Sequence, residues 1–312
     1  MNNKTYFAPM EGITGVIFRN AYEKYYGGID KYFSPFISPT QNCPMTPKEK
    51  RDVLPENNKV PMLVPQILTC KAEHFIEAAV QLKTMGYEEI NLNLGCPSQT
   101  VCAKGKGAGF LSDICALDDF LKIIYDFAEK EKMKISIKTR IGQKETSEWN
   151  SLLAIFNDYP IHELIIHPRL ASDYYSGEPR MEEFEKGLAE SKNPVVYNGN
   201  LFSASAIHEM EEKCPIMLGR GLLFNPQLLQ MAKGEKEEFD YKTFFQFHDE
   251  MYHEYQKIMS PDINALHRMK ELWTYFSKLF PGEEKVFKSL HKSKKYGDYD
   301  AACLALKTGV KK

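Results

Sequence analysis

Short apolar runs recur through the first two thirds of the chain, alternating with longer stretches whose apolar residues fall three and four apart. The short runs are rich in β-branched and aromatic residues and bounded by turn formers, so they read as strands at 5–9, 31–36, 61–67, 89–94, 134–139, 163–167, 194–198 and 215–219. Between them lie helical periods, such as 71–85 with Phe75, Ala78, Ala79 and Leu82, and 117–130 with Leu117, Phe120, Leu121, Ile124 and Phe127. Strictly alternating strands and helices imply right-handed parallel crossovers. Eight such repeats in this length fit a closed (β/α)8 TIM barrel better than an open sheet.

Past Leu229 the strand signals stop, and Ala232-Lys233-Gly234-Glu235-Lys236-Glu237-Glu238 forms a polar joint. Helical spacing then runs through Phe244, Phe247, Met251, Tyr255 and Ile258, and again through Leu266, Met269, Leu272, Trp273, Phe276 and Leu279, punctuated by Pro261 and Pro281-Gly282. The expected organisation is α/β, with a barrel domain over 1–234 and a small C-terminal all-α helical domain over 235–312.

Hydrophobic residues make up 43% of the 312 positions and charged residues 26%, enough apolar material for a core. The start of the chain lacks the apolar stretch of a signal peptide, and no segment reaches the roughly 18 apolar residues of a membrane span. The seven cysteines are dispersed without a C-x-x-C pair, which matches neither a disulfide framework nor a zinc site. A cytoplasmic protein without metal or membrane attachment is expected. The net charge of -2 hides a segregation: from Lys257 onward 12 Lys and Arg face 6 Asp and Glu, net +6, leaving -8 for the rest. A basic helical end on an acidic body suits a polyanion gripped from one side, although Lys292, Lys294, Lys295, Lys311 and Lys312 also suit a plain solvated surface.

In a barrel of this kind chemistry sits where strands end. Those ends read Gln66; Asn93-Leu94-Gly95-Cys96-Pro97; Lys138-Thr139-Arg140-Ile141-Gly142; His167-Pro168-Arg169; Asn198-Gly199-Asn200; and Gly219-Arg220-Gly221. A purely structural barrel has no reason to collect such residues on one rim, because each is costly to bury unpaired. Glycines after the last two strands, with one guanidinium, match the usual phosphate site of the architecture. No G-x-G-x-x-G opens a helix after a strand, so a Rossmann-bound dinucleotide is not supported. Lys138 faces inward if Ile135 and Ile137 pack outward, which aims a cation at an electron-rich cofactor ring. Cys96 opens a glycine-rich loop over 96–109, a seat that favours a mobile acid or nucleophile over apolar filler; Lys104 and Lys106 on that loop are candidates for phosphate contacts.

Together, Ala8-Pro9-Met10-Glu11-Gly12, Asn93-Leu94-Gly95-Cys96-Pro97-Ser98, Lys138-Thr139-Arg140-Ile141-Gly142, His167-Pro168-Arg169 and Gly219-Arg220-Gly221 resemble the tRNA-dihydrouridine synthases, over the barrel and into the helical end. Two features depart from the common pattern. His-Pro-Arg stands where the family usually has His-Gly-Arg, and Met10-Glu11-Gly12 is a variant associated with the branch acting on tRNA position 16. The resemblance implies a non-covalent FMN reduced by NADPH, hydride delivery from the flavin N5 to C6 of a uridine, and protonation of C5 by Cys96. It implies FMN contacts from Met10, Gln66, Lys138, His167, Gly199, Asn200, Gly219 and Arg220, and uracil contacts from Asn93, Arg140 and Tyr175. The flipped uridine would belong to a tRNA whose backbone meets the basic end, with Arg268, Lys270, Lys285, Lys288 and Lys292 as candidates. DNA is not an expected partner, and a monomer is the expected state.

Two other readings stand beside this one. An FMN barrel acting on a small metabolite, dihydroorotate dehydrogenase-like, would keep the phosphate site but needs no basic helical appendage. A non-catalytic RNA-binding protein would have no use for Cys96 and Lys138, both present.

Overall fold

A parallel strand covered on both faces must be apolar along its whole length, which is why the strand runs stand out so sharply from the chain. In the computed structural model, which describes residues 4–309, they form β1 (Thr5–Phe7), β2 (Lys31–Phe33), β3 (Leu63–Val64), β4 (Gln66–Ile67), β5 (Glu89–Leu94), β6 (Lys134–Gly142), β7 (Leu164–Leu170), β8 (Val195–Tyr197) and β9 (Ile216–Leu218). Their order in the sheet is β3-β2-β1-β9-β8-β7-β6-β5-β4, with every ladder parallel. The two end strands, β3 and β4, are pieces of one segment split at Pro65, which has no N–H to give a ladder. The ring therefore closes through the chain itself, and the eight expected strands make the expected TIM barrel.

Two strands run further than their sequence spans. The expected end of β6 at 139 moves to Gly142, and that of β7 at 167 moves to Leu170. Pairing passes from Arg140–His167 to Gly142–Leu170, so β7 spends one more residue than β6 across this step. Pro168 lies in that slip, where a missing backbone donor breaks no regular ladder.

The barrel interior is layered. Tyr6, Ala8, Phe33, Val64, Ile165, Val196 and Met217 form one buried apolar cluster. At the strands' N-terminal ends Lys31 Nζ donates to Glu89 and to Glu163, each at 2.8 Å, and Tyr6 donates to Glu163 at 2.5 Å. These charges are buried, so their stability depends on remaining paired. The opposite end carries the polar side chains described below.

The chain divides into two units. The first comprises the chain up to Pro9, Ile29–Asn200 and Glu209–Leu218, and holds every strand. The second comprises Met10–Gly28, Leu201–His208 and the chain from Gly219 onward. It is helical, with Val16–Tyr25, Arg220–Phe224, Leu228–Ala232, Tyr241–Ile258, Asp262–Phe276, Glu284–Lys292 and Tyr296–Gly309. Asp240 starts the Tyr241–Ile258 helix by accepting from the Thr243 N–H at 3.1 Å. Aromatic residues at helical spacing make its core: Phe244 meets Trp273, Phe276 and Phe280 with centroids 5.9, 5.2 and 5.5 Å away. Phe18, from the Val16–Tyr25 helix, packs edge-on to Phe247. No helix among the described residues is long and apolar enough to cross a membrane.

Replacing Lys31 by Met leaves Glu89 and Glu163 buried without their cation. Urea unfolding should show a loss of about 3–5 kcal/mol relative to the parent; a loss below about 1 kcal/mol would mean the carboxylates find water or protons without it.

Candidate active site

On β5 the side chains of Asn91 and Asn93 point into the barrel, two residues apart, as the strand period requires. Gln66 of β4 joins them: its Nε2 donates to Asn91 Oδ1 at 2.7 Å, and its Oε1 accepts from Asn93 Nδ2 at 2.7 Å. Asn91 in turn donates to Ser136 of β6 at 3.0 Å. The Asn93 oxygen accepts the backbone N–H of Gly95 at 3.0 Å and of Cys96 at 2.9 Å, so this side chain sets the first turn of the cysteine loop. With those bonds made, Gln66 and Asn93 each keep one amide hydrogen for a ligand.

The loop is folded back on itself. The Cys96 carbonyl accepts the Ala108 N–H at 3.0 Å and the Cys102 thiol at 3.5 Å, and short helical turns at Gln99–Cys102 and Gly107–Ser112 fill it. A Cβ at Gly109 would stand 2.6 Å from the Cys102 backbone, and one at Gly107 2.8 Å from the Cys96 carbonyl, so its glycines serve close packing as well as turning. Cys96 is half-buried, and burial pushes its thiol above the ordinary value.

Arg140 of β6 is buried and binds three carbonyls: Nε donates to Gly95 at 2.9 Å, Nη1 to Leu170 at 2.7 Å and Nη2 to Tyr174 at 2.6 Å. Its guanidinium lies 5.6 Å from the Tyr175 ring centre. Burial lowers it to about 10, still a cation at neutral pH. Tyr174 has φ 50° and ψ -99°, strained for a residue with a side chain at an order of 1–3 kcal/mol. The Arg140 bond and the adjacent Asp173–Arg180 ion pair hold this turn. Tyr175, 51% exposed, follows it.

His167 and Arg169 project from one face of β7. Arg169 Nη1 lies 2.9 Å from His167 Nε2, and a guanidinium only donates, so that imidazole nitrogen accepts and the ring is neutral with its proton on Nδ1. The fully buried Arg169 also donates to the Gly177 carbonyl at 2.6 Å and to Asn200 Oδ1 at 3.0 Å. At Gly199 a Cβ would fall 2.0 Å from the Tyr197 hydroxyl, so only glycine fits there. Arg169, Asn91 and Ser136 were not singled out for a role from sequence; their signal is the two-residue spacing to His167, Asn93 and Lys138.

Lys138 pairs in register with Asn93 across β5 and β6. Burial, with repulsion from Arg140, lowers its ammonium to about 7. Among the described residues no hydrogen bond or ion pair engages it, so its nitrogen is open to an acceptor that the chain does not supply.

Gln66, Asn93, Cys96, Arg140, Tyr175, His167 and Asn200 thus form one connected group in the first unit. Gly219, Arg220 and Met10 belong to the second unit; there Met10 opens a turn, its N–H donating to Thr14 Oγ1 at 2.8 Å. Of the other expected positions, Lys104 is exposed and Lys106 donates to Ser38 at 3.4 Å. Arg268 binds the Gly12 carbonyl and Glu271, and Lys270 binds the Ser293 carbonyl, so both are engaged within the unit. Lys285, Lys288 and Lys292 are exposed along the Glu284–Lys292 helix at a three-and-four spacing that puts them on one face. Lys311 and Lys312 lie outside the described residues. No cluster of His, Cys, Asp and Glu that could hold a metal occurs among the described residues.

Because Lys138 is less readily protonated folded than unfolded, its burial costs most below about pH 7 and the cost fades as pH rises towards its ordinary value near 10.5. Lys138→Met should therefore raise the melting temperature of the ligand-free protein at pH 7, with a gain that shrinks by pH 10. A gain independent of pH would place the ammonium in water.

The family model described as dihydrouridine synthase matches residues 6–309. A "Probable tRNA-dihydrouridine synthase" of Staphylococcus aureus (strain COL) is 27% identical over 275 residues, covering 85% of this chain and 82% of that protein. A "Probable tRNA-dihydrouridine synthase 2" of Bacillus subtilis (strain 168) is 25% identical over 259 residues, covering 80% and 78%. Among solved structures, morphinone reductase in complex with tetrahydroNAD superposes with a TM-score of 0.52 at 12% identity, covering 78% of this chain and 90% of that one, a likeness of fold. With the family match running from the first barrel strand to the last helix, the chain belongs to the dihydrouridine synthase family.

Proposed function

We propose that the protein is a tRNA-dihydrouridine synthase that holds FMN, takes reducing equivalents from NADPH and reduces the C5–C6 double bond of a tRNA uridine. The observation that carries this reading is a thiol kept in its protonated form, Cys96, in the same connected group as Gln66, Asn93, Arg140 and Tyr175.

The residues present fit a flavin. Lys138, lowered to about 7 by burial and engaged by no hydrogen bond among the described residues, suits the electron-rich pyrimidine edge of the ring, whose negative charge would draw a proton onto its nitrogen, and the spare amide hydrogens of Gln66 and Asn93 suit its carbonyls. His167 and Asn200, linked through Arg169, are the further proposed contacts in the barrel. Gly199, whose missing Cβ makes room for the Tyr197 ring, is the proposed backbone contact for the phosphate in the loop after β8. Gly219, Arg220 and Met10 retain their expected flavin roles as part of this proposal. The flavin, when bound, supplies the hydride for uracil C6.

The chain's own part is positioning and proton delivery. Asn93 fixes the backbone of Cys96, and burial keeps the thiol protonated so that it can give its proton to C5. Arg140 holds the cysteine loop and the Tyr174 turn together, leaving Tyr175 exposed beside its guanidinium for contact with uracil. The uridine must leave its helix to reach a barrel mouth. The acidic body contributes little attraction for the backbone, and the lysine face of the Glu284–Lys292 helix supplies it.

Cys96→Ala should keep bound flavin and NADPH oxidation while losing most dihydrouridine, scored by mass spectrometry of unmodified tRNA after single-turnover incubation. Parent-like yield would remove the acid role, and flavin turnover without product in the parent would favour a small-metabolite reductase. Since the acid must be protonated and burial raises the Cys96 thiol, product formation should persist past the ordinary thiol value of about 8.5 and fall only at higher pH. Neutralising Lys288 and Lys292 to Gln should weaken tRNA binding and flatten its salt dependence by about two counterions; an unchanged slope would locate the backbone contacts elsewhere.

A further inference from the structure

The second unit carries an aromatic strip of which the reading above uses only Arg220. Phe202 is 42% exposed, and its ring centre lies 5.6 Å from that of Phe224. Phe224 lies 5.7 Å from Tyr275, so three rings run on in a tilted series. Cations back two of them: the Arg220 guanidinium sits 5.4 Å from the centre of Phe202, and Lys278 Nζ 4.5 Å from that of Phe224. Four separate segments supply these residues: the stretch after Leu201, the two ends of the Arg220–Phe224 helix, the last turn of Asp262–Phe276, and the turn Ser277–Leu279. The helices' own aromatic core is elsewhere, around Phe244 and Trp273. An exposed phenylalanine at the end of such a series adds nothing to that core.

We propose that this strip is a nucleobase-stacking platform that binds an unpaired tRNA nucleotide other than the uridine being reduced. The inference rests on tRNA being the substrate. A nucleotide joins a flat π face to an adjoining phosphate, and the strip offers the exposed Phe202, continued by the half-buried Phe224 and Tyr275, with the exposed Lys278 beside it. Arg220, stacked on Phe202, fixes the angle of that ring. None of the five side chains is acidic, and the segment from Lys257 onward carries net +6, which favours an anionic partner over an acidic or neutral protein face.

The test uses the full-length, FMN-loaded protein and unmodified tRNA, with dissociation constants measured over a range of salt concentrations. Phe202→Leu keeps the apolar bulk and removes the ring; it should weaken binding about tenfold at every salt concentration, with the slope against salt unchanged. Phe202→Tyr should restore parent affinity. Lys278→Gln should weaken binding and reduce the salt slope by about one. Flavin content and NADPH oxidation without tRNA should stay at parent levels in all three. Parent affinity in Phe202→Leu would overturn the platform and leave the functional reading intact. A change of oligomeric state in Phe202→Leu would also overturn it, making the strip a contact between copies of the chain. Failure of the parent protein to bind tRNA would overturn the functional reading and the platform together.

Discussion

Two separate loops depend on the guanidinium of Arg140. It bonds the Gly95 carbonyl at the root of the cysteine loop and the Leu170 and Tyr174 carbonyls at the turn that presents Tyr175. The Leu170 carbonyl, buried, would cost of the order of 1–3 kcal/mol if left without a donor, and the part-buried Gly95 and Tyr174 carbonyls less, so this cation ties the two loops together. The strained backbone of Tyr174 is explained by the same bond: a turn that would relax in isolation is held by Arg140 and by the Asp173–Arg180 pair. Thiol and tyrosine, one with a proposed chemical role and one with a proposed binding role, are thereby fixed to a single residue of β6.

Burial acts in opposite directions on the two titratable groups nearest that cation. It raises the Cys96 thiol and lowers the Lys138 ammonium, favouring the neutral form of each. Arg140 remains charged at neutral pH, and Arg169 is a second buried guanidinium on the next strand, bonded to His167, Gly177 and Asn200. Arg140 and Arg169 therefore make the barrel mouth basic, offset in part by Asp173, which acts on Arg140, and by Glu178, which accepts from Asn200, inside a body whose net charge is negative. On the proposed reading such a mouth would stabilise negative charge building on a bound ring, while burial, against the opposing pull of Arg140 and Lys138, keeps the proton on the thiol.

The strands were legible because parallel strands covered on both faces must be apolar throughout, and Ile135, Ile137, Leu164, Ile165 and Ile166 leave no other reading. Their ends were less so. Arg140 and Arg169 look like loop residues by polarity, just past the expected strand ends at 139 and 167, yet they lie within β6 and β7, because an inward-facing position near a barrel mouth can be polar when its neighbours supply partners. Gln66, Asn93, Cys96 and Lys138 were singled out by their placement at or just after the ends of apolar runs. Arg169, Asn91 and Ser136 escaped because their roles are towards other side chains, and only the three-dimensional register brings Arg169 to Asn200 or Asn91 to Gln66. The engagement of Arg268 and Lys270 by carbonyls of their own unit was likewise invisible to a count of charges.

That last point changes how the basic end works. Net charge draws no distinction between a lysine committed to a carbonyl and one standing in water, but counterion release does, since only the second meets a phosphate. With Arg268 and Lys270 committed, the proposed reading leaves the salt-dependent part of RNA binding to the exposed Lys285, Lys288 and Lys292, and to Lys278. Extruding a uridine costs stacking energy that charge does not return, because phosphates sit on the backbone whether or not a base is flipped. Aromatic surface does return it, and at any salt concentration. A helical unit bearing both a lysine face and the Phe202, Phe224 and Tyr275 series can set how tightly it holds the backbone separately from how it offsets the disruption of the base stack.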